Sequence, residues 1–413
     1  MRNIYTSIDM GSDNIKIVVA ELINGKFQIL ASTSVKSVGI RRGLVVDHGM
    51  AVNSLRLATK EIEKSLGIII DKALVTVPSN DRNISVVEGK IDIDTGVISG
   101  SDIVSVLQEA SYGKISDDEE LVSIIPIMFS LDDNKVTVKP NGLVSSSLGV
   151  KALLATAPKK QVFDYFKVFS DLGIEVVDVS FNCIGDYYEA KSKDTESVLG
   201  AIINIGHEKT DISIFNKGIL IKNSIINLGS LNIDKDIAYI YGLDLNSSRE
   251  LKEGFALCSR RYADINEVLE FSINENDKLA INQYEITEIV EARVAELLKL
   301  AKKEINNLTK RKISYIIVTG GITELMGFSY VVENILGINS STLNTTTIGI
   351  RNNKFSSSMG LIRYFHEKMQ LREKDVSFID DNMMAKMLND KKSMLELTDN
   401  TIISRIFGYF AND

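Results

Sequence analysis

Two stretches decide how this chain folds: Asp9-Met10-Gly11-Ser12-Asp13-Asn14-Ile15-Lys16 and Asn204-Ile205-Gly206-His207-Glu208-Lys209-Thr210-Asp211. Each opens on a carboxylate or its amide, meets a glycine two positions later, and runs into an apolar alternation. Around the first, Ile15, Ile17 and Val19 and then Phe27 and Ile29 recur at period two, with Asn24-Gly25 as a hairpin turn between them. Around the second, residues 198–205, 211–215 and 219–226 read as strands, with Asn216-Lys217-Gly218 as the turn. Strand, polar loop, strand, turn, strand thus occurs twice, from Ile4 and from Ala201, weak in identity but clear in layout.

Outward from these blocks, Val52, Leu55, Ala58, Ile62 and Leu66 lie three or four apart and predict a helix that Gly67 stops. A short strand follows at 73–78. Residues 81–160 change character: strands at 84–87, 91–93, 120–131, 136–138 and 150–155 and a helix at 101–112 make a small α+β insertion. A helix at 161–172 and an extended 175–179 return to the main body. Residues 246–310 read as helical, most clearly at 285–308, where Ile289, Ala292, Leu297, Leu300 and Ile305 mark one side. A buried-type strand at 313–318 ends in Thr319-Gly320-Gly321, and 355–370 is a last body helix.

Composition sets outer bounds. The 413 residues are 25% charged and 44% hydrophobic, with a formal charge of -8, which suits a soluble chain of two or three domains and excludes nonspecific nucleic-acid binding. Two cysteines, Cys183 and Cys258, make no disulfide framework and fit a reducing, cytoplasmic setting. Three histidines and no CxxC argue against zinc. The first seven residues do not read as a signal peptide, and no apolar run of 18 or more exists. GxxxxGK[ST], HExxH and GxSxG are all absent.

A tight hairpin aims backbone N–H groups at an anion, and a glycine lets a phosphate come close. Hydroxyls and a lysine add donors, and an aspartate can hold Mg²⁺ through water. Two such hairpins face to face would clamp a triphosphate. Each alone also reads as an Asx-type turn, and Thr319-Gly320-Gly321 as a plain strand–helix turn.

The order of these features is that of the actin-like ATPases, and among them the chain resembles the FtsA family of bacterial cell-division proteins over nearly its whole length. Arg41-Arg42-Gly43-Leu44-Val45-Val46-Asp47 is similar to that family's RRG-x-[IV]-x-D segment. Residues 125–132 resemble its I-P-x-x-F-x-[IL]-D strand, Asn227-Leu228-Gly229-Ser230 with Asp236-Ile237-Ala238 its x-x-G-G…D-I-A stretch, and 291–297 its E-x-R-x-x-E-[IL] helix. The resemblance implies a duplicated, ribonuclease H-like, two-lobed α/β fold. Its core subdomains would span 1–80 with 161–195, and 196–245 with 313–370. An inserted α+β subdomain would span 81–160 and a helical subdomain 246–312, followed by a tether at 371–400.

It also implies roles. Asp9 would sit near the Mg²⁺ of bound ATP; Gly11, Ser12, Asn14 and Lys16 would contact phosphates; Asn204, Gly206, Thr210 and Asp211 would form the opposite hairpin. Gly229, Ser230, Gly320 and Gly321 would line the nucleoside, with Lys252 and, for a displaced family glutamate, Glu250. Where the family reads D-x-G-G-G-T-T-D, Asn204 replaces the first aspartate and His207, Glu208 and Lys209 fill the flexible middle. Binding without efficient hydrolysis is the expectation, with Asp9 and Asp211 as the possible catalytic groups.

Ile402, Ile403, Ile406, Phe407, Tyr409 and Phe410 fall on one side of a helix, with Arg405 opposite. A helix docked on the body and a membrane-lying helix both fit that pattern; its place after a polar tether favours the membrane. The resemblance implies a filament of this protein that ties the FtsZ ring to the cytoplasmic side of the cell membrane at the division site. The FtsZ C-terminal tail would dock on the helical subdomain near Lys299, Lys302 and Lys303, residues that equally suit a solvated helix side. An actin-fold small-molecule kinase and a pilus-assembly ATPase are the alternatives.

Overall fold

Strand β1 (Asn3–Met10) is the pivot of the first lobe because seven of its eight residues are buried, it is the central strand of its sheet, and Asp9 lies near its C-terminal end. β2 (Asn14–Ile23) returns antiparallel to it and β3 (Lys26–Lys36) follows through the Asn24-Gly25 turn, where both residues have positive φ. A two-stranded ribbon, β4 (Ile40–Arg41) and β5 (Leu44–Val45), leads to α1 (His48–Leu66), capped by Asp47 and ended by Gly67 in the left-handed conformation. β6 (Lys72–Val77) then adds in parallel to β1. In this computed structural model the described residues are 3–78, 80, 82–132, 135–272, 278–345, 347–380, 383 and 385.

The insertion is β7 (Asn83–Asp92), α2 (Gly100–Ser111), β8 (Glu119–Leu131), β9 (Val136–Thr137) and β10 (Ser147–Pro158), in strand order β7-β10-β8-β9. The two short strands expected at 84–87 and 91–93 are one continuous strand, paired along its length with β10. α2 packs Ile103, Val106 and Leu107 onto this sheet, a core separate from that of the lobes. The chain returns through α3 (Lys159–Ser170), β11 (Glu175–Phe181) and α4 (Asn182–Ala190).

The second lobe repeats the first. β12 (Leu199–Ile205), β13 (Thr210–Asn216) and β14 (Ile219–Ile226) meander antiparallel, followed by α5 (Leu231–Tyr241) and α6 (Leu245–Gly254). The span expected to be helical throughout is interrupted by a hairpin, β15 (Val268–Ser272) and β16 (Lys278–Asn282). Its alternation is half-exposed and short, too weak a signal to stand out between two helices. The long helix α7 (Gln283–Leu308) buries Val290, Val294, Leu297 and Leu298. β17 (Tyr315–Thr319), α8 (Phe328–Leu336), β18 (Ser340–Thr342) and α9 (Ser356–Leu371) complete the described elements longer than one 3-10 turn.

The first sheet has order β11-β6-β1-β2-β3 and the second β18-β17-β12-β13-β14, the same topology in the same directions. The duplication read from the sequence is thus exact in strand order. Between the lobes α4 and α9 cross backbone to backbone: a Cβ on Gly360 would lie 1.7 Å from the Gly185 carbonyl oxygen, so only glycine permits this crossing.

The body continues beyond α9, into the stretch expected to begin a tether. Phe378 and Ile379 are buried in the first lobe's core, the Phe378 N–H donates to the Ile4 carbonyl at 2.8 Å, and its ring meets Tyr5 and Phe365. Two apolar residues among charged ones did not stand out in the sequence, yet each finds a hydrophobic socket. The remainder of the expected tether beyond residue 385 and the helix at 401–413, with Ile402, Ile403, Arg405, Ile406, Phe407, Tyr409 and Phe410, lie outside the described residues.

Candidate functional site

The two hairpins are built alike. Gly11 N–H donates to the Asn14 carbonyl at 3.1 Å, and Gly206 N–H to the Lys209 carbonyl at 2.9 Å. Asp9 lies opposite Lys16 on the neighbouring strand and opposite Thr76 on the parallel one. Asn204 holds the same place, opposite Asp211 and Thr319. The duplication therefore puts one hairpin from each lobe at the end of its sheet. Both open onto one cleft of about 420 Å³ between the lobes.

Asp9, Gly11, Ser12, Asn14, Lys16, Asn204, Gly206, Asp211, Ser230, Lys252, Gly320 and Gly321 line this cleft. Three other residues singled out from the sequence stand apart from its lining. Thr210 is buried behind the second hairpin, its hydroxyl donating to the Leu228 carbonyl at 2.8 Å. Gly229 donates to Asn232 Oδ1 at 3.1 Å, and a Cβ on it would lie 2.5 Å from the Gly206 carbonyl, so it lets the following helix press against the hairpin. Glu250 is exposed on α6, and Glu253, three residues on and next along the helix surface, lines the cleft instead. Lys299, Lys302 and Lys303 are exposed on α7, Lys302 donating to the Ile335 carbonyl at 2.6 Å.

The carboxylates at the cleft are already engaged. Lys16 Nζ lies 2.8 Å from Asp9 Oδ2, while Thr76 Oγ1 at 2.8 Å and Asn182 Nδ2 at 3.3 Å donate to Asp9 Oδ1. Asn204 Nδ2 donates to Asp186 Oδ2 at 2.7 Å, and Ser356 and Ser357 donate to its other oxygen at 2.6 and 2.7 Å. Burial pushes the Asp186 carboxyl up to about 6, against the pull of these donors. Asp211 Oδ1 accepts from Ser213 at 3.0 Å and from Asn223.

Residues 207–209 tie the second hairpin to the first lobe. Lys209 Nζ donates to Asn80 Oδ1 at 2.8 Å, Arg42 N–H donates to Glu208 Oε2 at 2.5 Å, and His207 lies 3.8 Å from Asp13. Arg249 on α6 pairs with Asp13 at 2.6 Å and reaches Asp234 at 3.5 Å. Burial lowers the His207 pKa below the ordinary imidazole value, with Asp13 opposing. Lys252 forms a buried pair with Asp234 at 2.6 Å.

Among the described residues no group of three or more His, Cys, Asp or Glu is placed to hold a metal ion. A Mg²⁺ beside Asp9 meets two ammonium groups, Lys16 at its carboxylate and Lys209 in the same cleft, and an amide at Asn204. The residues present do not fit a divalent ion at that place.

The family model described as cell division protein FtsA matches residues 201–360. The model for the SHS2 domain inserted in FtsA matches residues 81–156, and the two together span more than half of the chain. The chain belongs to the FtsA family. Cell division protein FtsA of Bacillus subtilis is 26% identical over 380 residues, covering 91% of this chain and 86% of that protein. FtsA of Enterococcus hirae is 25% identical, covering 87% and 82%. Among solved structures, the PilM-PilN type IV pilus biogenesis complex has a TM-score of 0.58 at 13% identity, covering 87% of this chain and 97% of that one. A Spiroplasma citri MreB bound to AMPPNP has a TM-score of 0.55 at 12% identity, covering 89% and 97%. These likenesses establish the actin-like fold, and the SHS2 match makes β7 to β10 with α2 the FtsA insertion.

Several residues at this FtsA cleft carry no motif. Thr76 was findable, since it matches Thr319 once the strand ends of the two halves are aligned. Asn182, Asp186, Glu253 and Lys354 have no such signal; they reach the cleft or its wall only when α4, α6 and the 3-10 turn before α9 pack between the lobes.

Proposed function

We propose that this FtsA-family chain binds ATP between its two hairpins, polymerises, and ties the FtsZ ring to the cytoplasmic face of the membrane at the division site. The observation that carries the nucleotide part is the pair of matched hairpins, Gly11 and Gly206 facing one cleft with Lys16 and Lys209 on its walls. Gly320 and Gly321 end a parallel strand at the same cleft, where backbone leaves room for a nucleoside. Mg²⁺ at Asp9, which the resemblance implies, is not part of this proposal because of the charges around that carboxylate.

ATP serves here as a ligand, with turnover slow or absent. Asn204 brings an amide where the first lobe has a carboxylate, and it is committed to Asp186. Efficient phosphoryl transfer needs a group to position the attacking water. That distinguishes the chain from a small-molecule kinase.

The membrane role rests on the amphipathic spacing at 402–410. No helix among the described residues is long and apolar enough to cross a bilayer. For the FtsZ tail, α7 offers its exposed lysines and, on the same helix, a groove lined by Asp236, Tyr239, Ile240, Glu288, Ile289, Ala292, Arg293 and Glu296, in which Tyr239 and Ile240 are exposed and Arg293 is paired with Asp236 and Glu296. An acidic, partly apolar peptide is drawn to the lysines and could lay apolar side chains on Tyr239 and Ile240, while the groove's three carboxylates repel it, so the lysines support this part of the reading.

Co-sedimentation with liposomes tests the adaptor role, comparing the full chain with one ending at Asn400, with ATP and without nucleotide. Pelleting that needs residues 401–413 and strengthens with ATP is the expected result. A full chain that stays in the supernatant with and without ATP overturns it.

A further inference from the structure

Lys209 is the one residue of the second hairpin that carries a positive charge across the cleft. It stands in the loop position equivalent to Asn14 of the first hairpin, each supplying the carbonyl that accepts the glycine N–H. Its ammonium donates to Asn80 Oδ1 at 2.8 Å, and a Cβ on Gly43 would lie 3.2 Å from it. Gly43 N–H in turn donates to Ser12 Oγ of the first hairpin at 2.9 Å. The Lys209 ammonium thus sits at the junction of both hairpins, where phosphates clamped between them would lie. An ammonium has three donors, so the Asn80 contact leaves it capacity for an anion.

The surrounding charges point the same way. Asp9 is paired with Lys16, Asn204 is neutral, and Asp186 is held by Asn204, Ser356 and Ser357. A divalent ion among the phosphates would face Lys16 and Lys209, with Asp9 and Asp186 engaged in this way and Asp211 held by Ser213 and Asn223. Burial draws the Lys209 pKa below the ordinary lysine value, with Asp211 and Asp9 opposing; a phosphate at contact distance favours the charged form further.

We propose that Lys209 supplies the positive charge that a divalent ion would otherwise bring to the triphosphate, so that this chain binds ATP without requiring Mg²⁺. The inference rests on the proposal that ATP occupies the cleft. No chemical step is involved: the ammonium neutralises phosphate charge and holds the two hairpins against it. Replacing Lys209 by glycine removes that charge and reinstates a need for the metal.

The test is calorimetric titration of the full chain with ATP, once with excess Mg²⁺ and once with EDTA. The same pair of titrations is run on Lys209→Gly and Lys209→Arg, each checked for a native thermal transition. The expected result is a wild-type Kd that differs by less than about tenfold between the two conditions. In Lys209→Gly, EDTA weakens binding by tenfold or more beyond its effect on the wild type, and Lys209→Arg restores the wild-type pattern. Wild-type binding that weakens tenfold or more in EDTA overturns the inference while leaving the cleft a nucleotide site. So does a Lys209→Gly chain whose binding is as indifferent to Mg²⁺ as the wild type's. An absence of binding in both conditions overturns the inference together with the nucleotide proposal.

Discussion

Asp13 on the first hairpin and Arg249 on α6 meet across the cleft at 2.6 Å, although 236 residues separate them. Lys36 from β3 also reaches Asp13, at 2.7 Å. Burial works to raise the Asp13 carboxyl, but Lys36, His207 and Arg249 outweigh it and hold it down to about 2. Because the folded value lies below the ordinary carboxyl value of 3.8, the gain is fully present above about pH 4 and is lost as pH falls through about 2. Urea unfolding followed between these pH values should give a falling midpoint that Asp13→Asn flattens. At neutral pH the same variant, which leaves Arg249 with only Asp234 and His207, should lose about 1–3 kcal/mol.

Asn204→Asp restores the carboxylate expected of the family and should weaken the fold. The new charge would face Asp186, now 2.7 Å from the Asn204 amide. Asp186 already titrates near 6 because of burial, and a like charge raises it further. Its folded value exceeds its unfolded one, so the folded state holds the extra proton at low pH, and stability falls as pH rises through about 6. The variant should therefore lose about 2–4 kcal/mol at pH 8 and clearly less at pH 5, measured by urea unfolding at both.

Lys252 and Asp234 form a pair whose side chains are 5% and 1% exposed. Lys252→Ala leaves Asp234 buried with Arg249 at 3.5 Å as its remaining cation, and should cost about 3–5 kcal/mol. Lys252→Ala with Asp234→Ala should cost less than the sum of the two single changes, which a double-mutant cycle in urea resolves.

Gly320 has φ of 108°, and a Cβ there would lie 2.3 Å from the Ile205 carbonyl oxygen. Gly320→Ala forces the β17 end away from the second hairpin. It should lower stability by about 1–3 kcal/mol and weaken ATP binding in the same variant, whereas Gly254→Ala, on the helical backbone of α6 with open space around its Cβ, should leave ATP binding unchanged and raise stability by up to about 1 kcal/mol. Thermal melts and calorimetric titrations of both proteins check this.

The local grammar of the sequence fixes much of this protein because it is set by neighbours. Alternating apolar residues make β1, β2, β12 and β13, and Asn24-Gly25 and Lys217-Gly218 take the positive φ their turns need. The duplication, the inserted subdomain and the two hairpins are all legible from spacing of two or three to four residues. The weak hairpin β15–β16 and the packed segment around Phe378 were not, since a short half-exposed alternation and two isolated apolar residues leave no periodic trace.

Which side chains meet in the cleft was decided only when the lobes came together. Asp13 with Arg249, Asn204 with Asp186 and Lys209 with Asn80 are pairs between elements distant along the chain. Charge and hydrogen-bonding capacity are properties of each residue, and the sequence states them. Whether a carboxylate is left open or already satisfied depends on donors delivered by α4, α6 and α9 once they are packed. The residue types determined that two matched hairpins carry lysines; the packing determined that Asp9 is matched by Lys16 and that Lys209 spans the gap between the lobes.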